Sequence, residues 1–392
     1  MKFTVEKQKL LLELDLLLGV VEEDATIPVL RCVKIAAADK DSVSIAGTDL
    51  DTSLTTNCVA IVQEIGACVL PARKLHEIVA AMPGPLVVFA DQPNNDLVMI
   101  RSGCANFELL GMEPERFPSI PHVSIGAQAG ELITSISSCL LSSVLKQAIY
   151  ASIEEDSRYA LNAVLLRINE GVLKVVACDG HRLAIASKEM QTRVADNTQA
   201  LIPRKTSFQL AALTAARSNE ISDISDQALA DLNGDVRFGQ DDRHVFFEVG
   251  HRTLSSNKSA GTFPDYERVI PQHNSIIITL NTAELSQAIA RAALIADERS
   301  QRVQLNLSDG YLTVSAYHDD FGKSEEAIAC CYGYEGEPVK MVVHADYLIE
   351  FLNTITDERV TVAIKPGNDG SSPIVMKPES DSNYTYIVMQ QK

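Results

Sequence analysis

The feature that most constrains this chain is that it repeats itself three times. Segments 43–49 (VSIAGTD), 173–179 (LKVVACD) and 312–318 (LTVSAYH) line up, with starts 130 and 139 residues apart. Each reads as a strand that runs into a polar turn. A second set keeps similar offsets: 69–74 (VLPARK), 201–205 (LIPRK) and 342–346 (VVHAD) each put a short strand directly before a helix. In the first of these helices Leu75, Ile78, Val79 and Met82 recur at the spacing of one buried face. A third set opens each copy with an amphipathic helix, around Leu10/Leu14, Leu140/Val144 and Leu285/Ile289. Asn281, three residues before Glu284, predicts the N-cap of the last one. Three sets in one register describe a single unit used three times.

Each unit reads as strand, helix, three strands, then strand, helix, three strands. Turn clusters at 39–42, 93–96, 169–171, 233–234, 240–243, 309–310 and 366–370 separate the strands. Two connectors, 114–121 and 263–271, each contain Phe-Pro, which favours extended backbone. The expectation is an α+β fold of three repeated domains, 1–125, 126–273 and 274–392, each with two helices on antiparallel sheets.

Net charge narrows the partners. At -18 the chain argues against gripping DNA through a basic surface and against anionic membranes. With no Trp and 5% aromatics, a platform of exposed rings for single strands is not expected. The eight cysteines form no C-x-x-C and lie at no zinc-finger spacing from a His, so they read as reduced thiols of a cytosolic protein, most of them in apolar runs. The N-terminal run of leucines is broken by Glu13 and Asp15 and is not read as a signal peptide. Leu10, Leu11, Leu14, Leu17, Leu18 and Val21 instead fit one helix face. No apolar run approaches transmembrane length.

The sharpest local motif is 177–184, ACDGHRLA. Strand-like residues flank Asp179-Gly180, which suits the left-handed positions of a two-residue hairpin turn. Cys178 and His181 flank that turn, and a thiol–imidazole nucleophile is one reading of them. Nothing nearby orients such a pair or supplies an oxyanion site. Asp49 and Asp51 are the other catalytic candidates, but no phosphate-cradling loop or metal spacing accompanies them.

This motif resembles the D-G-H-R-L-A hallmark of the bacterial DNA polymerase III β subunits, the ring-shaped sliding clamps. Further matches run in family order over the whole chain: MKFTVE at 1–6, GTDL at 47–50, PARK at 71–74, RYALN at 158–162, PRK at 203–205, FPDY at 263–266, ARAA at 290–293 and YIVM at 386–389. The resemblance implies a processivity factor with no catalysis and no cofactor or metal of its own. It implies a homodimeric ring that encircles double-stranded DNA without reading its sequence. Helices would line the hole, and domain 1 would meet domain 3 head to tail. Phe107 would sit on one side of that joint. Leu294, Ile295 and the strand around 302–307 would sit on the other. The polymerase α subunit, the clamp loader and other clamp-binding-motif proteins would insert a short peptide into a pocket. Its residues by resemblance are Leu161, Cys178, Gly180, His181, Arg182, Leu183, Pro264, Val269, Ile387 and Met389. The apolar members would line it, and His181 and Arg182 would anchor polar groups at its rim. Arg73, Tyr159, Arg204 and Lys205 would face DNA phosphates.

The chain departs from the family pattern in places. Asp24 replaces a basic residue in the loop before Thr26, Glu155 stands for a neutral amide, and Ala160 follows Tyr159 where a second aromatic is familiar. Cys178 replaces a common Thr, and the chain ends Met389-Gln390-Gln391-Lys392 where the family has Met-Pro after the last strand. These changes imply weaker DNA contact and an altered pocket edge. They motivate a second reading, a diverged clamp paralogue acting mainly as a protein scaffold. The third reading is a hydrolase using Cys178 and His181.

Overall fold

Alternation of apolar and polar residues makes strand the commonest element, and among the described residues six helices fall where three-to-four spacing takes over. The structure, a computed structural model, describes residues 1–91, 96–121, 131–153, 161–190, 198–215, 235–271, 274–365 and 372–391. Tyr159, Glu155, Ala160, Lys392, the turns at 233–234 and 366–370, most of that at 93–96, and the boundaries after 125 and 273 lie outside the described residues.

The first copy runs β1 (Lys2–Glu6), α1 (Lys7–Leu18), β2 (Cys32–Ala37), β3 (Ser42–Thr48), β4 (Thr52–Glu64), β5 (Gly66–Pro71), α2 (Ala72–Ala81), β6 (Leu86–Asp91), β7 (Leu97–Ser102) and β8 (Ala105–Leu110). The second repeats that order: β9 (Glu131–Ser137), α3 (Ser138–Ala148), β10 (Ala163–Asn169), β11 (Val172–Cys178), β12 (Arg182–Glu189), β13 (Thr198–Pro203), α4 (Arg204–Thr214), β14 (Asp235–Gln240), β15 (His244–Val249) and β16 (Arg252–Asn257). The third does so again: β17 (Ile276–Asn281), α5 (Thr282–Ala293), β18 (Arg302–Ser308), β19 (Tyr311–His318), β20 (Gly322–Ala329), β21 (Val339–His344), α6 (Ala345–Leu352), β22 (Arg359–Ile364), β23 (Ile374–Pro378) and β24 (Tyr384–Val388). The aligned segments fall on equivalent elements, β3, β11 and β19, and on the strand-to-helix joints before α2, α4 and α6.

The contacts do not follow the repeats. They divide the chain into two compact units: Met1–Ser142 with Thr192–Ala195 and Lys205–Lys258, and Ser143–Gln191 with Asp196–Arg204 and Ser259–Lys392. The central copy is thereby shared, because β4 pairs with β16 and β12 pairs with β24.

In the first unit one sheet runs β8-β7-β6-β1-β4-β16-β15-β14-β9, with β3, β2 and β5 attached beside β4. Leu75, Ile78, Val79 and Met82 are all buried, as their spacing predicts. On α1 the buried set is Leu10, Glu13, Leu14, Leu16 and Leu17, whereas Leu11 and Leu18 are half-buried, and Val21 lies beyond the helix end. The unexpected member is Glu13. Its carboxylate accepts from Thr56 Oγ1 at 2.6 Å on β4, and from Arg252 Nε at 2.9 Å and Nη2 at 2.6 Å on β16. His251 Nε2 lies 3.1 Å away. Burial alone would raise its pKa, but these donors outweigh burial and hold it at about 2.

In the second unit an eight-stranded sheet runs β13-β10-β11-β12-β24-β23-β22-β17, and a four-stranded sheet runs β20-β19-β18-β21. Tight hairpins set their registers. Glu170-Gly171 (φ 52 and 76) and Asp309-Gly310 (φ 50 and 83) each put two consecutive residues in the left-handed region, as type I′ turns require. Asn281 caps α5 as expected, its side chain accepting the Glu284 N–H at 3.0 Å. The strand around 302–307, expected at the subunit joint, is β18. It is hydrogen-bonded to β19 on one side and β21 on the other, so it has no open edge. The edge strands of its sheet are β20 and β21.

All eight cysteines are free, and half of them are buried. Burial pushes Cys58 and Cys68 up to about 12. Among the described residues no helix is long and apolar enough to cross a membrane, and no group of three or more His, Cys, Asp or Glu could hold a metal ion.

Candidate protein-binding site

The site begins with a turn. β11 and β12 pair as far as Cys178 opposite Leu183, and the Asp179 N–H donates to the Arg182 carbonyl at 3.3 Å. Gly180 and His181 are therefore the two central residues, and of these only Gly180 has positive φ (93). That is the pattern of a type II′ turn, with glycine first. Asp179 is thus a corner residue and not a central one, contrary to the Asp-Gly expectation. Its Oδ1 accepts the N–H groups of His181 at 2.8 Å and Arg182 at 2.9 Å, fixing the turn with its own side chain.

β24 lies against β12, with Leu183 opposite Ile387, and the Met389 N–H donates to the His181 carbonyl at 2.8 Å. Two strands and one turn thereby gather Cys178, Gly180, His181, Arg182, Leu183, Ile387 and Met389. Beneath them Val176, Leu183, Ile185, Tyr266, Val375 and Ile387 share one buried cluster, and Cys178, Phe263 and Ile270 pack on it. Pro264 and the exposed Val269 ride on the segment that supplies Phe263, Tyr266 and Ile270. Leu161 is buried and leads into β10, which adds Leu165 to the same cluster.

Arg182 is not the rim anchor that the sequence suggested. It is only 8% exposed. Its Nε donates to Asp179 Oδ2 at 2.9 Å, its Nη2 to the Tyr150 carbonyl at 2.9 Å, and its Nη1 pairs with Glu350 on α6. The guanidinium also lies over the ring of Tyr347 at 4.4 Å and that of Tyr150 at 5.5 Å. Three acceptors and two ring faces replace the lost water. Burial opposes the charge, yet the Tyr386 phenol, Glu350 and Asp179 raise its pKa above the ordinary arginine value. Tyr347 also stacks on His344 at 4.3 Å and on His181 at 6.4 Å. Nothing in the sequence pointed to Tyr150, His344, Tyr347 or Glu350. Glu350 is 168 residues from Arg182, and no motif joins them.

The catalytic candidates find other employment. The Cys178 thiol takes the Gly180 N–H at 3.3 Å, and burial pushes its pKa up, away from a reactive thiolate. Asp49 caps a turn equivalent to that of Asp179, accepting from Asp51 N at 3.0 Å and Thr52 N at 2.6 Å. Asp51 accepts from Asn257 Nδ2 at 2.8 Å.

Arg73 and Lys205, two of the candidate DNA-facing cations, pair with acidic residues. Arg73 pairs with Glu23, one residue from Asp24. Lys205 donates to the Val20 carbonyl at 2.7 Å and pairs with Asp49. Arg204 is half-buried at the start of α4. Phe107 lies on β8, an edge strand of the first unit's sheet, and is 40% exposed. Leu294, just past α5, is 81% exposed, while Ile295 is half-buried.

Known proteins share this organisation from end to end. Family models of the DNA polymerase III beta subunit match in order: the N-terminal domain at residues 1–121, the central domain at 135–265 and the C-terminal domain at 267–392. The beta sliding clamp of Pseudomonas aeruginosa is 30% identical, with all of both chains covered. The chain belongs to the DNA polymerase III beta subunit family. The sliding clamp of Vibrio cholerae is 28% identical, with 99% of each chain covered. Among solved clamps, the DnaN sliding clamp of P. aeruginosa bound to griselimycin has a TM-score of 0.84 at 29% identity, covering 100% of this chain and 99% of that one. The sliding clamp of Bacillus subtilis has the same TM-score and coverage at 26% identity. As a beta clamp the chain is a non-catalytic accessory subunit of a DNA polymerase. The hydrolase reading of Cys178 and His181 falls with that, in agreement with the buried thiol.

Proposed function

We propose that this sliding clamp tethers the polymerase α subunit, the clamp loader and other clamp-binding-motif proteins through a short peptide laid on the β12–β24 strand pair. The observation that carries this is the tie between the Asp179–Arg182 turn and Met389, set over an apolar cluster. The cluster offers buried area to a partner's apolar side chains, and a methionine at its edge adapts to more than one of them. Leu161, Cys178, Gly180, Leu183, Pro264, Val269, Ile387 and Met389 are its contact residues, with the His181 ring beside them.

The working form is a homodimeric ring of three domains per chain, with boundaries after residues 125 and 273, acting in the cytoplasm. Phe107 on β8 meets Leu294 and Ile295 of the partner subunit, and the open edges of β8 and β20 supply the strands that pair across the joint. Such a ring holds DNA by topology, so a net charge of -18 is no obstacle. Arg73, Tyr159, Arg204 and Lys205 are the residues nearest phosphates. The ion pairs of Arg73 and Lys205 support weak, sliding contact over a tight grip, the one property that the scaffold reading shares.

The deciding experiment loads the protein onto nicked circular DNA with a clamp loader and ATP, then linearises the circle. Retention before cutting and release through the ends afterwards is the expected outcome. Equal retention on both forms would overturn topological binding.

A further inference from the structure

Building on that protein-binding site, we infer that Glu350 is a positioning residue for it, acting through Arg182. The three kinds of guanidinium nitrogen serve three different segments. Nε stays within its own turn at Asp179, Nη2 reaches the carbonyl of Tyr150 in the 3-10 turn Ile149–Ala151, and Nη1 reaches Glu350 on α6. Arg182 is thus a junction, and its chain neighbours are site residues. Leu183 is in the apolar cluster opposite Ile387, and the His181 carbonyl holds the Met389 N–H. A displacement of the Arg182 side chain is passed directly to both walls.

The two carboxylates on Arg182 differ in what their loss would do. Asp179 is 8% exposed and also caps two backbone N–H groups, so removing it dismantles the turn. The Glu350 side chain is 46% exposed. Without it the guanidinium keeps Asp179, the Tyr150 carbonyl and both ring faces, so the buried charge is not orphaned. What is lost is the link between α6 and the turn. One helical turn before Glu350, Tyr347 carries the ring on which Arg182 and His181 rest, so that link also sets the His181 ring. The pair therefore adds little to stability and much to alignment.

The test measures binding of a fluorescein-labelled clamp-binding peptide from a DNA polymerase III α subunit to the full-length protein. Glu350→Ala is expected to weaken binding about three- to tenfold, the range for residues coupled through a packed network. Glu350→Gln, which keeps an oxygen for Nη1, is expected to restore most of it. The melting temperature should stay near that of wild type in both, and the His181 imidazole resonance should shift only in Glu350→Ala. Wild-type affinity in Glu350→Ala, or equal losses in Ala and Gln, would overturn the positioning role. A wild-type protein that binds no peptide would instead overturn the underlying site, as would full binding by Leu183→Ala.

Discussion

Single residues carry strain and charge that composition hides. Leu50 occupies the place that Gly180 holds in the equivalent turn, at φ 81, a conformation costly for a branched side chain. The turn is otherwise the same: the Asp49 N–H donates to the Thr52 carbonyl at 3.1 Å, and the Asp49 carboxylate caps the following amides. Leu50 is 55% exposed, so its side chain returns little burial for that strain. Leu50→Gly should relieve more strain than it adds in unfolded-chain entropy, raising stability by about 0.5–1 kcal/mol. A lowered urea midpoint in the variant would show that the leucine side chain is packed usefully after all. The turn itself was legible in sequence as GTDL. The strain was not, because φ is fixed by the Asp49 cap and the β3–β4 register together.

Elements are joined by groups far apart in the chain. Glu13 on α1 and Arg252 on β16 make the most buried ion pair among the described residues of the first unit, with Thr56 on β4 completing it. The folded pKa of Glu13, about 2, lies below its ordinary 4.5. Its contribution is therefore full above pH 4.5 and fades as the pH falls toward 2, amounting to on the order of 3 kcal/mol at neutral pH. Glu13→Gln leaves Arg252 buried without its counter-charge and should cost about 3 kcal/mol at pH 7. It should also remove part of the acid sensitivity, so that the two stability curves converge as the pH drops from 4.5 to 2. Parallel curves across that range would mean that another carboxylate titrates there. Periodicity put Leu10, Leu14 and Leu17 in the core correctly. It also favoured Leu11 and Leu18 over Glu13, since an acidic residue is buried only when a distant partner pays its desolvation.

At the scale of the whole molecule the open edges matter most. β8 and β20 each leave one side of a strand without a partner among the described residues. Monomeric proteins usually blunt such edges, and a dimer removes them by pairing. Phe107→Asp, which puts a charge at the proposed joint, should shift the protein from dimer to single chains at micromolar concentration, read by analytical ultracentrifugation. The same variant should lose retention on circular DNA while still binding the labelled peptide, because the peptide site is built elsewhere. A variant that stays dimeric would move the joint away from β8. The strand at 302–307 was expected at the joint through the family resemblance alone. Alternation reports which faces are buried and says nothing about which edges are free.

Sequence alone determined the threefold repeat, its element order, the cap at Asn281 and the family, since these depend on local spacing and on motifs in a fixed order. It also located the Asp179–Leu183 hairpin, and the family resemblance grouped Ile387 and Met389 with it. Tertiary structure decided that the sheets run on across the repeat boundaries, β4 pairing with β16 and β12 with β24. It decided that Arg182 faces inward and that Lys205 and Arg73 are already paired. Those outcomes depend on which acceptors and counter-charges arrive from distant segments, such as Glu350, Tyr150, Asp49 and Glu23. A linear pattern contains no record of such arrivals.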